Sequence, residues 1–212
     1  DKSGDSRAIA DIGSHLMDIL EYITGLKTVA VLADFNTIHK TRKKPLKPVE
    51  TYSGKMLKPE DYADVPITTE DHANVLLRFD NGNRGVITVS QVSAGRKNRM
   101  SLEISGSNRT FSFCSEAPNE LWIGQRDGYN EQLMRDPSLF HPEARSVISF
   151  PGGPNEGFPD TSKQMFKEVY AAIEAGKQPE NPTFPTFADG LRELLICEKI
   201  LESNRKQAWV EV

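Results

Sequence analysis

Asp80-Asn81-Gly82-Asn83 separates two runs of alternating character, Asn74–Phe79 and Gly85–Val92. Gly82 accepts the positive φ of a tight hairpin turn, and Asn and Asp side chains bond to their own backbone there. Period-two alternation on both sides of such a turn predicts an antiparallel pair of strands whose successive side chains point to opposite faces. Val75, Leu77 and Phe79 then share one face, with Leu76 and Arg78 on the other. In the second strand Ile87 and Val89 oppose Val86, Thr88, Ser90 and Val92. Both faces carry apolar groups, more than one layer of helices covers. An open sheet face of this kind predicts self-association into a homo-oligomer.

The hairpin sits among further strands. Thr28–Ile38 is rich in β-branched and apolar residues. Met100–Ile104 and Thr110–Phe113 flank Gly106-Ser107-Asn108 as a second hairpin, and Glu120–Gln125 reads as another strand. Five or six mostly antiparallel strands therefore occupy the middle of the chain. Thr41–Pro66 holds Pro45, Pro48, Pro59 and Pro66 and is expected to run as a long surface excursion. Pro151–Pro159 is a Gly/Pro-rich loop. Beyond it Phe166, Val169, Tyr170 and Ile173 mark an amphipathic helix, with Asp160 or Thr161 as its cap. Thr186-Phe187-Ala188-Asp189 has the shape of a capping box and opens a last helix to about Ser203. Helices at the ends and strands between them predict an α+β fold, a largely antiparallel open-faced sheet with helices on one face.

The first helix carries the chemistry. Ile12, Leu16, Ile19 and Ile23 recur at helical spacing as an apolar stripe, and Gly25 ends the helix. Asp11, His15, Asp18 and Tyr22 recur one residue out of phase, so a polar stripe runs beside the buried one. A carboxylate and an imidazole one turn apart on a rigid element are equipped for proton transfer. The other reading makes Asp11 a helix N-cap or first-turn acid and His15 its partly buried neighbour. Spacing alone leaves both open.

Composition excludes several classes. The 212 residues suffice for one large domain or a cramped pair. A net charge of −4 gives no general attraction to nucleic acid or to an anionic membrane. No run approaches the roughly 18 consecutive apolar residues of a membrane span. Cys114 and Cys197 are too few for a disulfide framework and are expected in a strand and in the core, in a reducing cytoplasm. His15, His39, His72 and His141 are scattered, without metal-ligand spacing, so no metal is expected. There is no Gly-x-Gly-x-x-Gly, no P-loop and no Gly-x-Ser-x-Gly. Gly152-Gly153-Pro154-Asn155-Glu156-Gly157 lacks the βαβ setting of a phosphate cradle. The start at Asp1, a polar and structureless stretch to Ser6 followed by an abrupt helix, reads as a cut boundary.

Asp11-Ile12-Gly13-Ser14-His15-Leu16-Met17-Asp18 resembles the Asp-x-Gly-x-His-x-x-Asp helix that opens the C-terminal domain of the Gfo/Idh/MocA oxidoreductases. Thr69–Gly82 with the strand Gly85–Ser90 is similar to that family's central hairpin. Phe187–Arg192 and Trp209-Val210-Glu211-Val212 resemble its last helix and terminal strand. The resemblance implies the family's glyceraldehyde-3-phosphate-dehydrogenase-like C-terminal fold. It also implies that residues 1–212 form a single substrate-binding and oligomerising domain, without the N-terminal Rossmann half. The family carries NAD or NADP and a Glu-Lys-Pro lysine in that half, so no cofactor is expected on this chain alone, which should be inactive. By resemblance His15 is the acid/base for a substrate hydroxyl, and Asp11 binds or orients that hydroxyl. The implied activity is NAD(P)-dependent oxidation of a small sugar, cyclitol or related polyol. A non-catalytic ligand sensor of the same fold is the alternative; retention of both Asp11 and His15 favours the enzyme.

Three segments are further candidates for substrate contact. Lys40, Arg42, Lys43, Lys44 and Lys47 place five positive charges in eight residues, either a solvated loop or a clamp for an anionic substrate. Of these Arg42, Lys43 and Lys44 are the candidates, together with Arg96 in Arg96-Lys97-Asn98-Arg99. Asn155-Glu156-Gly157-Phe158 matches a family loop of the form His-Pro-Glu-Gly-Tyr. Pro154 and Phe158 replace two of its hydrogen-bonding side chains, which leaves Glu156 as the polar candidate. Trp122 and Trp209 are expected to pack rather than to stack on sugar.

Overall fold

A computed structural model describes residues 4–50 and 57–212. The chain divides into two compact units, one running to Ala94 and resuming at Phe187–Val212, the other Gly95–Thr186.

The first unit opens with a π turn, Ile9–Gly13, that leads directly into helix α1, Ser14–Thr24. Strand β1 is Thr28–Asn36, β2 Thr41–Pro45, β3 Tyr62–Pro66, β4 His72–Phe79 and β5 Arg84–Ser90. The hairpin expected at residues 74–92 is the β4–β5 pair, in register from His72↔Ser90 to Arg78↔Arg84. Gly82 takes φ 87° in its turn. With the short terminal strand at Val210–Glu211 these strands form an antiparallel sheet in the spatial order terminal strand, β1, β4, β5. Val75, Leu77, Phe79, Ile87 and Val89 face inward, where Ile9, Met17, Ile196 and Ile200 complete the core. The other sheet face is open: Leu76 is 45% and Val86 66% exposed.

Two expectations change here. The stretch Thr41–Pro66 is not all excursion, since β2 and β3 pair from Thr41↔Pro66 to Pro45↔Tyr62. Pro45 and Pro66 sit at the strand ends, where no ladder donor is needed, and Pro59 opens a 3-10 turn before β3; residues 51–56 of that stretch lie outside the described residues. The apolar stripe of the first helix is also displaced. Ile9, Gly13, Met17 and Glu21 are buried at four-residue spacing, whereas Ile23 is 55% exposed. The π turn is the cause: the Ser14 N–H bonds back to the Ile9 carbonyl, which adds a residue to one turn and rotates the following face. Gly13 keeps that turn compact, since a Cβ there would lie 3.3 Å from Ile9 Cδ1. Gly25 ends α1 with φ 68°, as expected.

The last long helix runs Phe187–Lys206, three residues beyond the expected end. It lies on β1, whose N–H groups outlast its short terminal partner. Ala33 N–H donates to Ser203 Oγ (3.0 Å) and Phe35 N–H to Asn204 Oδ1 (2.9 Å), so helix side chains cover that edge. Cys197 is buried beside the Ile9 carbonyl.

In the second unit β6 (Ser101–Ser105), β7 (Arg109–Cys114), β8 (Glu120–Gln125) and β9 (Glu131–Met134) form an antiparallel meander. The expected strands are β6 to β8; β9 and the one-turn helix α2, Pro142–Ser146, were not foreseen. Helix α3 spans Phe158–Glu174 and begins two residues before the expected cap. Asp160 still caps it, from inside the first turn, by accepting the Gly157 N–H at 2.9 Å. The long helix Phe187–Lys206 is α4, and the terminal strand Val210–Glu211 is β10. Trp122 lies over Gly124, where a Cβ would stand 2.6 Å from the indole. Trp209 packs under the Arg78 guanidinium at 3.9 Å. Among the described residues no helix is long and apolar enough to cross a membrane.

Candidate active site

The start of the first helix is capped from a distance. Glu70, 3% exposed just before β4, accepts the Ser6 hydroxyl (2.9 Å) and the N–H groups of Arg7 (2.9 Å) and Ile9 (2.8 Å). Ser6 is therefore buried and bound rather than part of a structureless lead-in. A helix N-terminus with orphan donors and a positive dipole end is where a carboxylate is stabilising. Glu70 fills that role, so Asp11 is not the N-cap.

Asp11 stands on the exposed side of the π turn, and Gln91, just past β5, donates from Nε2 to its Oδ2 at 3.1 Å. His15 is exposed one turn further on. The two polar groups share one open helix face, and among the described residues no lysine or arginine is within ion-pair distance of Asp11. Asp18, one turn beyond His15, is partly buried against Glu193 of α4. Burial raises its carboxyl above the usual range, against the hydrogen bond from Glu193 and the His15 charge. Glu193 is pushed up to about 7 by burial and by the charge and hydrogen bond of Asp18. Glu21 lies on the buried side of the same helix. It accepts from Lys27 Nζ (3.0 Å), Thr28 N–H (2.8 Å) and Arg192 Nη2 (3.2 Å), which together hold its carboxyl low despite burial.

The other predicted contacts have partners of their own. Arg42 turns toward the buried carboxylate of Asp71, with Nη2 3.6 Å from Oδ2, opposite Arg7 at 3.5 Å. Asp71 also accepts the N–H groups of Ile38 (2.7 Å) and His39 (2.9 Å). These donors and guanidinium charges hold its carboxyl below the usual range although burial opposes them. Lys43 pairs with Asp64 across the ribbon at 2.7 Å, and Lys44 points to solvent. In the second unit Arg96 pairs with Glu116. Glu156 pairs with Arg135 at 2.8 Å and accepts the Ser149 N–H at 2.6 Å. Arg135 also donates to the carbonyls of Phe150, Pro151 and Pro154. The loop is thus folded around a guanidinium by its carbonyl oxygens, which is unsuited to cradling phosphate.

The sequence profile described as "GFO/IDH/MocA C-terminal domain" matches residues 1–112, more than half of the chain. The chain belongs to the GFO/IDH/MocA C-terminal domain family. Levoglucosan dehydrogenase of Pseudarthrobacter phenanthrenivorans is 27% identical over 213 residues, spanning 98% of this chain and 52% of that protein. Levoglucosan dehydrogenase solved with NADH and levoglucosan superposes with a TM-score of 0.77 at 25% identity, covering 98% of this chain and 50% of that one. An oxidoreductase domain protein from Kribbella flavida gives a TM-score of 0.79 at 26% identity, over 98% of this chain and 51% of that one. This chain spans about half the length of the curated relatives it matches.

Glu70, Asp71, Gln91 and Glu193 surround the candidate site residues and were missed by sequence reasoning. Adjacent acids immediately before a buried strand were the one local signal, at Glu70-Asp71. Gln91 and Glu193 had none.

Proposed function

We propose that this chain is the substrate-binding half of an NAD(P)-dependent oxidoreductase that oxidises a hydroxyl of a sugar, cyclitol or related polyol. The carrying observation is the open helix face with Asp11 and His15, Asp11 having been relieved of capping by Glu70. The levoglucosan dehydrogenase relative, solved with NADH and a sugar substrate, supports the same class. The sequence carries no Gly-x-Gly-x-x-Gly turn, and in this reading the nicotinamide would be held by a Rossmann half. Held there, it would supply the hydride acceptor for the carbinol carbon.

What this chain supplies is proton and hydroxyl chemistry. As hydride leaves the carbon, the hydroxyl must lose its proton, and a ring nitrogen of His15 takes it. Asp11 accepts a hydrogen bond from the substrate and orients it, while Gln91 fixes the rotamer of Asp11. The neutral and anionic surface around them suits an uncharged polyol better than an anionic substrate. Arg42 and Glu156, being paired internally, serve the frame.

The test is turnover in the enzyme assembled with its cofactor-binding half. His15→Ala should lower kcat by about 10²–10⁴-fold with little change in KM, because proton transfer is needed chiefly in the transition state. Asp11→Asn should worsen both. His39, His72 and His141 are the controls. Wild-type turnover in His15→Ala would refute the assignment.

A further inference from the structure

Gln91 stands where β5 ends, and its backbone is tied down on both sides. Its N–H donates to the Asp71 carbonyl at 2.8 Å, which carries the β4–β5 pairing one step past His72↔Ser90. The Ser90 hydroxyl accepts the N–H of Val92 (3.3 Å) and the hydroxyl of Ser93 (2.9 Å), closing the turn that follows. From this fixed backbone the half-buried side chain reaches the π turn, where Nε2 donates to Asp11 Oδ2 at 3.1 Å. The Asp11 backbone is held as well, its N–H donating to the Arg7 carbonyl at 2.9 Å. A carboxylate only accepts, so the amide must turn its nitrogen toward Asp11 and keep its carbonyl oxygen free of that contact. Among the described residues no donor reaches Gln91 Oε1 or Asp11 Oδ1. Neither oxygen is sealed from solvent, and His15 is exposed one turn along the same helix.

We infer that Gln91 is a specificity-determining residue that reads a second substrate hydroxyl: Asp11 Oδ1 and Gln91 Oε1 form a pair of acceptors for hydroxyls on neighbouring carbons. The inference rests on the proposed reading of Asp11 and His15 as the site where a hydroxyl is oxidised. Two acceptors joined by one hydrogen bond meet two donors held side by side on a small ring, so the pair selects a vicinal diol over an isolated alcohol. A phosphate or carboxylate would meet only oxygens there, one of them charged, which keeps the substrate class neutral. A substrate without the second hydroxyl leaves Gln91 Oε1 desolvated and without a donor, and such an unpaired group costs more than the made bond contributes. The amide thus has two roles, its nitrogen holding Asp11 and its oxygen reading the substrate.

Substitution separates the two roles. Gln91→Lys keeps a donor for Asp11 and has no acceptor, whereas Gln91→Met has neither. The enzyme assembled with its cofactor-binding half is assayed with NAD and with NADP on levoglucosan and on myo-inositol, each beside its monodeoxy analogues. Wild type should prefer the full polyol over the analogue lacking the neighbouring hydroxyl by about a hundredfold in kcat/KM. Gln91→Lys should narrow that preference by about tenfold, which is what one hydrogen bond is worth. Gln91→Met should narrow it equally and also lower kcat, since Asp11 loses its donor. A residue that only holds Asp11 would change the rates on both substrates by one common factor. An unchanged preference in both variants therefore overturns the role of Gln91 and leaves the oxidoreductase reading standing. Turnover of neither polyol by wild type sinks that reading instead, and the inference falls with it.

Discussion

Replacing Glu193 by glutamine should make this chain more stable in alkali and leave it nearly unchanged in mild acid. The carboxyl rises from 4.5 to about 7 on folding, so the folded state binds its proton more tightly than the unfolded state does. Stability from that proton is fully present below the unfolded value and is lost as pH rises through the folded value. At 1.36 kcal/mol per unit, the full shift corresponds to about 3 kcal/mol. Glu193 is only partly buried, and solvent screening reduces that to about 1 kcal/mol. Glutamine keeps a donor for Asp18 and never ionises, so it escapes the loss. Urea unfolding at about pH 5 and about pH 8.5 reads the difference directly. The wild-type midpoint should fall between the two conditions by more than that of Glu193→Gln, and the gap between the proteins should open only at the higher pH. Glu21 and Asp71 have lowered carboxyls and contribute the opposite slope, present above their unfolded values and lost in acid. They act equally in both proteins and cancel. Parallel midpoints at both pH values would refute the reasoning, as would a glutamine variant less stable at the higher pH.

Asp71→Asn should cost about 3 kcal/mol at neutral pH, because it leaves Arg7 and Arg42 around a neutral buried group, and should flatten the acid limb of stability; urea unfolding against pH checks both. The open face of β4 and β5 predicts self-association, so light scattering should give a mass of two or more chains, reduced by Val86→Lys. Isothermal titration of this chain alone with NAD and NADP should show no saturable heat, since its sequence carries no Gly-x-Gly-x-x-Gly turn. Micromolar binding would contradict the proposed division of labour.

What was legible in the sequence was local. The β4–β5 hairpin announces itself within nineteen residues, because turn chemistry and alternation both act between chain neighbours. Asp11 and His15 fall on one helix face for the same reason, their spacing being a property of one turn. The buried side of that helix was misjudged by one position, since a π turn, which no periodicity of 3.6 anticipates, rotates Met17 and Glu21 inward. The β2–β3 pairing was hidden by prolines that mark strand ends here but mimic the composition of a loop. The site's supporting residues were hidden more deeply. Gln91 lies 80 positions from Asp11 and Glu70 61 positions from Ile9, and only the closed sheet brings them together. A helix capped by its own N-cap residue would keep Asp11 occupied in the backbone of its own turn. With the cap at Glu70, just before β4, one acid serves the helix and another is left on its surface. The Asp11–His15 face therefore depends on the segment leading into β4, and a substitution that loosens Glu70 should disturb Asp11 and His15 without touching either.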